Sequence, residues 1–466
     1  MHEINRLIVV SNRLPNIELP TDNTERRNMP VGGLVSALRS ALEEYGGIWF
    51  GWSGKTVSTG ANLETTETPF GRMRLKALDL SRSEASLYYN DFCNRTLWPL
   101  LHSFPAKMTI KYEAHRAFRR VNRKFAEVVI SSLKQGDVVW VHDFHLWALA
   151  TELRRLGWDG PIGYFHHVPF PPAEVFGALP WAAEFLEMFL DFDVIGVHTR
   201  LYANNLRASL ASEVKGAAIG DIFSHGERSV QINVRPIGIE PDEFQTDVDL
   251  DKSPMDEFVR GMPSDHKVVL AVDRLDYTKG ITQRLTTFEY LLEHYPALRG
   301  KLTLIQISAP SRTRVPEYVE ERQQIDQMVG HINGRFSEAG WIPIHYLFRS
   351  YNHDELTTFF RGANVCLVAP LRDGMNLVAK EFIAAQTADP GVLLLSKFCG
   401  AAETMDRAVI INPYDVQGTA DAIVQALNMS LDERIARRDD LMVDIRRTTA
   451  RTWFESSLRD MASTRS

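Results

Sequence analysis

Short apolar runs alternate with helix-like patterns along the whole chain, and this order constrains the fold more than any other feature of the sequence. The runs are rich in Val, Ile and Leu and have the length of buried strands. Between two of them, Ile281, Leu285, Phe288, Leu292 and Tyr295 recur at helical spacing. Strands that alternate with helices form parallel sheets that are covered on both faces. The sequence therefore predicts an α/β fold of doubly wound, Rossmann-like sheets.

The predicted strands fall into two groups. The first group comprises Leu7 to Val10, Ile48 to Trp52, Val138 to Val141, Ile162 to Phe165, Val194 to Val197 and Ile232 to Val234. The second comprises Val268 to Val272, Leu302 to Ile307, Tyr346 to Phe348, Val365 to Val368, Val392 to Leu395 and Val409 to Ile411. A polar interval from Pro241 to Asp265 separates the groups. Because 466 residues exceed what one core usually organises, we predict domains at residues 1–240 and 241–450, with a C-terminal helix at 451–466 that packs on the first domain.

Charge and composition exclude several classes of protein. The net charge of −7 lacks the basic excess that binds a phosphate backbone, so we expect no nucleic-acid partner. No apolar run approaches the roughly 18 residues of a membrane span, and the first residues do not resemble a signal peptide. We therefore expect a cytoplasmic protein with no membrane partner. Cys93, Cys366 and Cys399 lack metal-ligand spacing and are expected in the core.

The segment from Asp373 to Glu381 places two acids and a run of backbone amides on one turn between a strand and a helix. The apolar run Val365 to Val368 predicts the strand, Pro370 ends it, and helical spacing follows. Free N–H groups at a helix N-terminus favour a phosphate, and carboxylates accept sugar hydroxyls. The segment therefore outlines a sugar-nucleotide site. The alternative is that Asp373 only caps the helix and that Glu381 is a solvated surface residue.

Polar segments also follow other predicted strands in both halves of the chain. In the first half they are Ser11-Asn12-Arg13, Gly32-Gly33, His142-Asp143-Phe144-His145 and His166-His167. In the second half they are Asp273-Arg274-Leu275-Asp276-Tyr277-Thr278-Lys279-Gly280 and Ser308 to Arg312. Doubly wound sheets bind ligands at the carboxyl ends of their strands. The sequence therefore predicts that both domains contribute to one ligand cleft.

The charged residues of these segments also have structural explanations. Arg13 or Arg312 alone could form a surface ion pair, which would contribute little energy. Arg274 and Lys279 could pair with the aspartates of their own segment. On the residues alone, these alternatives stay open.

A metal site is the alternative for the histidine segments. Imidazole and carboxylate groups are suitable metal ligands, so a metal-dependent hydrolase could be built on His142, Asp143, His145, His166 and His167. However, no H-E-x-x-H motif or cysteine pair fixes a coordination geometry. Histidines that pack in a core are the simpler explanation of this set.

The motifs, taken in their order along the chain, resemble those of the trehalose-6-phosphate synthase family. The resemblance extends from about residue 6 to about residue 455. The segments that carry it, beside Asp373 to Glu381, are Val10 to Arg13, Gly32 to Leu34, Trp49 to Gly54, Tyr88 to Asn90, Leu97 to Pro99, His142 to His145, His167 to Pro171 and Arg274 to Gly280. It implies a GT-B glycosyltransferase fold, with two Rossmann-like domains facing a central cleft. It also implies transfer of glucose from a nucleotide-glucose, expected to be UDP-glucose, to glucose-6-phosphate with retention of configuration.

The resemblance assigns the donor side to the second half of the chain. Arg274 and Lys279 are expected to hold the diphosphate and to stabilise its growing charge. Donor-sugar hydroxyls are assigned to Asp373 and the ribose to Glu381. The backbone of Gly374, Met375, Asn376, Leu377 and Val378 is assigned to phosphate and sugar, with Gly33 near the donor phosphates.

The acceptor side is assigned mainly to the first half. The resemblance implies that Arg13 and Arg312 grip the phosphate of glucose-6-phosphate, for which the guanidinium fork is well suited. Tyr89 and Trp98 are expected to shape the pocket. Asp143 and His167 are expected to orient the sugars at the reacting centre.

The family resemblance also carries expectations about cofactors and partners. The reaction is expected on one sugar face without a protein base, and without a metal or another cofactor. A separate trehalose-6-phosphate phosphatase is expected downstream, and a homo-oligomeric state stays open. Close relatives include glucosylglycerol-phosphate synthases and cyclitol-coupling enzymes, so the acceptor has alternatives.

Overall fold

A computed structural model of the protein describes residues 6–14, 46–58, 65–245, 253–313 and 315–464. Within this part, the chain divides into two compact units. Unit 1 contains the described residues up to Ile237 and those from Ala450 onward, and unit 2 contains those from Gly238 to Thr449. Within the described residues, the chain first passes from unit 1 to unit 2 after Ile237, close to the start of the polar interval.

Unit 1 is built on a ten-stranded sheet with the order β3-β4-β2-β1-β5-β6-β7-β10-β9-β8. Its strands are β1 (Arg6–Arg13), β2 (Gly47–Val57), β3 (Thr66–Phe70), β4 (Met73–Ser81), β5 (Asp137–His142), β6 (Ile162–His166), β7 (Val194–Val197), β8 (Ala217–Ile219), β9 (Ile222–His225) and β10 (Arg228–Val234). The central strands pair in parallel, and the strands at both edges form antiparallel hairpins.

The helices of unit 1 connect these strands. They are α1 (Arg82–Glu84), a π-helical segment (Ala85–Leu97), α2 (Trp98–Leu101), α3 (Tyr112–Ile130), α4 (Leu149–Arg155), α5 (Ala173–Phe176), α6 (Ala182–Phe189) and α7 (Arg200–Glu213). Short 3₁₀ turns lie at Pro105–Lys107 and Phe144–Leu146. Helix α3 buries Phe118, Val121 and Phe125 on one face, as its apolar spacing requires.

Unit 2 contains a six-stranded, fully parallel sheet with the order β13-β12-β11-β14-β15-β16. Its strands are β11 (Lys267–Arg274), β12 (Leu302–Ala309), β13 (Ile344–Leu347), β14 (Val365–Val368), β15 (Val392–Ser396) and β16 (Val409–Ile411). Its helices are α8 (Pro254–Val259), α9 (Ile281–His294), α10 (Pro316–Phe336), α11 (His353–Gly362), α12 (Leu377–Ala385), α13 (Val416–Leu427) and α14 (Leu431–Arg447). Short 3₁₀ turns lie at Pro241–Gln245, Tyr277–Lys279, Pro296–Leu298 and Gly400–Glu403.

The C-terminal helix α15 (Ala450–Ser463) packs on the sheet of unit 1. Its Trp453 and Phe454 rings lie 5.2 Å and 5.6 Å from the Trp140 ring of β5. A charge pair fixes its other end, where Arg235 donates to Asp460 at 2.8 Å. The helix therefore completes the core of unit 1 after the chain has formed unit 2.

The predicted α/β fold is confirmed, with one correction to the sheet. Every predicted strand overlaps an observed one, although β13 begins two residues earlier than expected. The prediction missed the hairpins β3–β4 and β8–β9, so the sheet of unit 1 is mixed rather than wholly parallel. Strand β3 is mostly exposed and polar, and strands β8 and β9 are short, so neither hairpin carries the apolar run of a buried strand.

The structure also bears on the expectations about the cysteines and about membrane spans. The three cysteines are buried and unbridged, as predicted. No helix in the described part of the chain combines the length and the apolar character needed to cross a membrane.

Candidate active site

The predicted residues of unit 1 gather at one edge of its sheet. Strands β1, β5 and β6 are neighbours and run in parallel, so their carboxyl ends lie side by side. Arg13 ends β1, Asp143 follows β5 and His167 follows β6. The order of the strands therefore brings together residues that are far apart in the sequence.

Arg13 lies exposed at this edge, held by an aromatic ring and by a glycine. Its guanidinium carbon is 4.9 Å from the centre of the Trp52 ring, a cation–π contact. Gly54 has a φ of 88°, which side chains rarely adopt, and a Cβ atom there would lie 1.9 Å from Arg13 Nη2 and displace the guanidinium. No ion pair within the described residues engages Arg13, and the ion-pair explanation for this residue is therefore not supported there.

Tyr89 and Trp98 are presented by the π-helical segment and its junction with α2. The Trp98 amide donates to the Cys93 carbonyl, which is the wider hydrogen-bond step of a π-helix. The half-buried Tyr89 ring stacks on His145 at 6.0 Å and meets Trp52 edge-on at 5.7 Å. Trp98 is 4 % exposed, so it forms a wall rather than a projecting contact.

Asp143 has a backbone conformation that side chains rarely adopt. Its φ of 71° and ψ of 165° lie in a region that is nearly restricted to glycine. Its amide donates to the Phe165 carbonyl of β6 at 2.8 Å, which fixes the turn. One carboxylate oxygen lies 3.7 Å from His145 Nδ1. Strain of this kind concentrates at functional sites, and here it directs a carboxylate to the sheet edge.

His142, His166 and His167, at the ends of β5 and β6, are neutral at physiological pH. Burial lowers the pKa of His142 and of His166 to about 3. Burial, with the neighbouring His142, His198 and His166, lowers the pKa of His167 well below its ordinary value. Within the described residues, no group of three or more His, Cys, Asp or Glu side chains could hold a metal ion.

In unit 2, Lys279 and Asp373 form a mostly buried ion pair. Lys279 Nζ donates to Asp373 Oδ2 at 2.5 Å, and the side chains are 11% and 14% exposed. Burial is the largest single effect and opposes the charge of Lys279, but the carboxylates of Asp373 and Asp273 together outweigh it and raise the pKa of the ammonium group. Asn376 Nδ2 also donates to Asp373 Oδ2 at 3.0 Å. The pair joins the turn after β11 to the turn after β14.

The alternative pairing of Arg274 and Lys279 with Asp273 and Asp276 does not occur within the described residues. Asp273 instead pairs with the fully buried Arg284 at 2.8 Å. The side chain of Arg274 is exposed, and neither a hydrogen bond nor an ion pair of the described chain engages it.

Arg312 lies in an ion pair of the kind that its alternative explanation foresaw, although the pair is buried. Its Nη1 is 3.0 Å from Asp276 Oδ2, and the two side chains are 6% and 1% exposed. The Tyr318 hydroxyl donates to the same carboxylate oxygen at 3.0 Å. Arg312 has a left-handed φ of 46°. The Arg312 guanidinium is therefore already paired with an acid.

The amide run before α12 has the properties of an anion site. Asn376 is the N-cap of α12 and accepts from the Ala379 amide at 3.3 Å, with a left-handed φ of 73°. No acceptor in the described part of the chain takes the amides of Gly374, Met375, Asn376, Leu377 or Val378. The alternative that Asp373 only caps the helix is not supported, because Asn376 is the N-cap.

A second loop braces this amide run from below. The amides of Gly400 and Ala401 donate to the carbonyls of Asp373 and Met375 at 3.1 Å and 2.9 Å. Cys399 Sγ lies 2.8 Å from the same Met375 carbonyl. A Cβ atom on Gly400 would lie 1.9 Å from the Gly374 carbonyl oxygen. The loop can approach this closely only because residue 400 is a glycine.

Glu381 lies one turn into α12 and is only partly exposed, so it is not the solvated residue of the alternative explanation. Its burial raises the pKa of the carboxyl group to about 7. A carboxyl group that titrates near neutrality is typical of a functional site.

The sequence did not point to several residues that shape the site, and one predicted site residue has no described position. Gly33 and the segment from Pro15 to Val31 lie outside the described residues. The missed residues are Arg284, Asn376 as the cap, Gly400 and His142 as a partner of His167. The position of Gly400 shortly after a predicted strand could have indicated a close backbone approach. No local pattern indicated that Arg284 is buried.

The chain matches one family of known proteins over almost its whole length. The model of Glycosyltransferase family 20 matches residues 5–463 of the chain. A trehalose-6-phosphate synthase from Enterobacter sp. is 38% identical, with 98% of this chain and 95% of that protein covered. A bifunctional trehalose-6-phosphate synthase/phosphatase from Thermoproteus tenax is 40% identical over 99% of this chain, and the chain spans 64% of that protein.

Solved structures agree with the family match. An α,α-trehalose-phosphate synthase (UDP-forming) from Burkholderia xenovorans, in complex with glucose-6-phosphate, aligns with a TM-score of 0.91 at 37% identity, covering 98% of this chain and 100% of the other. A solved structure described as trehalose-6-phosphate from E. coli bound with UDP-2-fluoro glucose aligns with a TM-score of 0.90 at 35% identity, covering 98% of each chain.

The raised pKa of Glu381 gives a test of the site's electrostatics. The folded pKa of about 7 exceeds the ordinary value of 4.5, so the folded protein binds an extra proton between these values. The free energy of unfolding therefore decreases as pH rises through this window. Glu381→Gln removes that loss, and we expect it to raise Tm more at pH 8 than at pH 4.5, measured by calorimetry. An equal effect at both pH values would contradict the raised pKa.

Proposed function

The chain belongs to glycosyltransferase family 20, and we propose that it transfers glucose from a nucleotide-glucose to glucose-6-phosphate, giving α,α-trehalose-6-phosphate and a nucleoside diphosphate. We propose UDP-glucose as the donor, since a solved relative is described as UDP-forming and another holds a UDP-glucose analogue. The observation that supports the proposal most is the amide run before α12 with the Lys279–Asp373 pair beside it.

The donor side of the proposal uses the charges of unit 2. The free amides from Gly374 to Val378, at the positive end of the α12 dipole, suit the diphosphate. Lys279 stays protonated because the neighbouring carboxylates outweigh burial and raise its pKa, and Arg274 offers an exposed guanidinium with no acidic partner in the described chain. Both cations stabilise the negative charge that develops on the leaving diphosphate. Asp373 would bind the hydroxyls of the donor sugar, and Glu381 those of the ribose.

The acceptor side uses groups that follow the strands of unit 1. Arg13 is exposed and, within the described chain, has no acidic partner, so its fork is available to the phosphate of glucose-6-phosphate. Tyr89 and Trp98 form the walls, and Asp143 accepts from sugar hydroxyls. For Arg312 we propose phosphate contact from within its pair with Asp276.

Retention and the absence of a metal cofactor belong to the same proposal. A double-displacement mechanism needs two carboxylates flanking the scissile bond, one of them as nucleophile. We propose instead reaction on one sugar face, in which the leaving phosphate oxygen takes the acceptor proton. Arg274 and Lys279 supply the positive charge that a metal ion would otherwise bring. A separate phosphatase would then be needed to remove the phosphate group from the product.

The product assay tests the proposed reaction directly. UDP-, ADP- and GDP-glucose are each incubated with glucose-6-phosphate, with and without a chelator, and the product is identified by mass spectrometry and NMR. We expect α,α-trehalose-6-phosphate at equal rates in both arms. Glycerol-3-phosphate and cyclitol phosphates serve as alternative acceptors. If product forms only from one of those acceptors, glucose-6-phosphate is not the acceptor. Activity restored only by added zinc would overturn the metal-free mechanism.

Arg274 and Lys279 differ in their surroundings, and substitutions should separate charge stabilisation from structural support. We expect Arg274→Ala to lower kcat by about 10²- to 10³-fold without loss of stability, since no partner is left behind. Lys279→Ala should lower kcat similarly and also destabilise unit 2 by about 3–5 kcal/mol, because Asp373 loses its cation. Initial rates and thermal unfolding measure the two effects.

The matched control for Arg274→Ala is Arg116→Ala, which removes an exposed arginine of α3. It should leave rate and stability unchanged. Near-normal turnover of Arg274→Ala would show that the diphosphate lies elsewhere.

Gly400 gives a prediction about donor binding that involves no charged group. Gly400→Ala places a Cβ atom against the Gly374 carbonyl and must displace the amide run. We expect nucleotide-glucose binding to weaken by about tenfold to a hundredfold, since small displacements at a site have effects on this scale. Affinity for glucose-6-phosphate alone should be unchanged. Isothermal titration calorimetry with each substrate measures both.

Gly330→Ala is the control for this substitution. Gly330 lies in α10 with no atom within 4 Å of an added Cβ, so alanine is accommodated there. Equal donor affinity in both variants would contradict a supporting role for Gly400.

A further inference from the structure

His142 and His167 form a direct contact between the ends of two neighbouring strands. His142 Nδ1 lies 3.0 Å from His167 Nε2, and the two rings are nearly parallel with centres 5.3 Å apart. His142 ends β5, and His167 follows β6. His142 is fully buried, whereas His167 is partly exposed at the sheet edge. The buried ring therefore lies behind the exposed one.

Each ring carries one proton in this contact. Both imidazoles are neutral near pH 7, because burial disfavours their charged forms. A neutral imidazole has one N–H donor and one acceptor nitrogen. At 3.0 Å, one of the two facing nitrogens must donate and the other must accept. Two assignments are possible, and they give His167 opposite tautomers.

The other nitrogen of His142 decides between the assignments. His142 Nε2 is buried and has no hydrogen-bond partner in the described chain, and the Trp140 and Trp453 rings lie 4.4 Å and 6.2 Å from the His142 ring. If His142 accepted at Nδ1, its proton would lie on this unpartnered Nε2. Buried N–H groups without an acceptor are rarer than under-used acceptors. The proton of His142 therefore belongs on Nδ1, where it is hydrogen-bonded.

We propose that His142 is a positioning residue that donates from Nδ1 to His167 Nε2 and thereby fixes His167 in the Nδ1–H form. His167 then presents an N–H donor, not a base, to an oxygen of a bound ligand. Its Nε2 is occupied and its pKa is low, so it transfers no proton. The assignment of the tautomer stands on the contact alone, whereas its role in glucosyl transfer rests on the proposed function.

The tautomer can be measured on the free protein. Long-range ¹H–¹⁵N NMR at pH 7 distinguishes protonated from unprotonated ring nitrogens, and spectra of His142→Phe and His167→Asn assign the two rings. We expect protonated Nδ1 and unprotonated Nε2 on both. A His167 protonated on Nε2 overturns the proposal, whether or not the protein makes trehalose-6-phosphate.

Two variants of His142 test the consequence. His142→Asn keeps an N–H donor near Nδ1, and His142→Phe removes it while keeping a ring. We expect Asn to preserve the His167 tautomer and Phe to release it to the Nε2–H form. Loss of a partner that orients a histidine typically costs about tenfold to a hundredfold, so kcat of His142→Phe should fall on this scale. The rate of His142→Asn should stay near the wild-type value.

The rate measurements also separate positioning from structural damage. His142→Phe should change kcat with little change in KM for nucleotide-glucose, and thermal unfolding shows whether the fold is retained. Equal rate loss in the Asn and Phe variants, with the tautomer unchanged in both, would overturn the proposal. If His142→Phe does not fold, the wild-type tautomer and the Asn variant still decide it.

Discussion

The ion pair between Lys279 and Asp373 is the constraint on which the candidate donor site depends. It joins the turn after β11 to the turn after β14, two neighbouring strands of the unit 2 sheet. Its side chains are mostly buried, so the pair is isolated from solvent screening and keeps Lys279 charged. Asn376 binds the same carboxylate and caps α12, which aligns the amide run. The Asp373 carboxylate thus positions both the Lys279 ammonium group and the N-cap of α12.

The turn after β11 distributes its charges among separate partners. Asp273 takes the buried Arg284, and Asp276 takes Arg312. Lys279 reaches across to Asp373, which leaves Arg274 as the exposed cation of the turn. Each carboxylate has a cation of its own, so an incoming diphosphate competes with none of them for Arg274. The arrangement explains why a segment with two acids can still present positive charge.

The sequence predicted the fold class and most strands because buried parallel strands carry long apolar runs. It also identified the amide run before α12, since a strand, a turn and a helix follow one another locally there. It could not assign the partners of Lys279 and Arg312, because these pairs join segments far apart in the chain. The edge hairpins were missed for a different reason: exposed or short strands have no continuous apolar pattern. The roles of the individual site residues stay predictions.

The two units prepare their groups by opposite electrostatic means. In unit 1, burial keeps His142, His166 and His167 neutral, since no acidic group within the described residues pairs with them, and a strained backbone turn directs Asp143. Unit 2 instead pairs Lys279, Arg284 and Arg312 with carboxylates, which favour the charged forms of these buried side chains. Neutral imidazoles and a stabilised ammonium group do not change charge near pH 7. Burial raises the pKa of Glu381 to about 7, and no cation within the described residues pairs with it, so this carboxyl group makes the site sensitive to pH near neutrality.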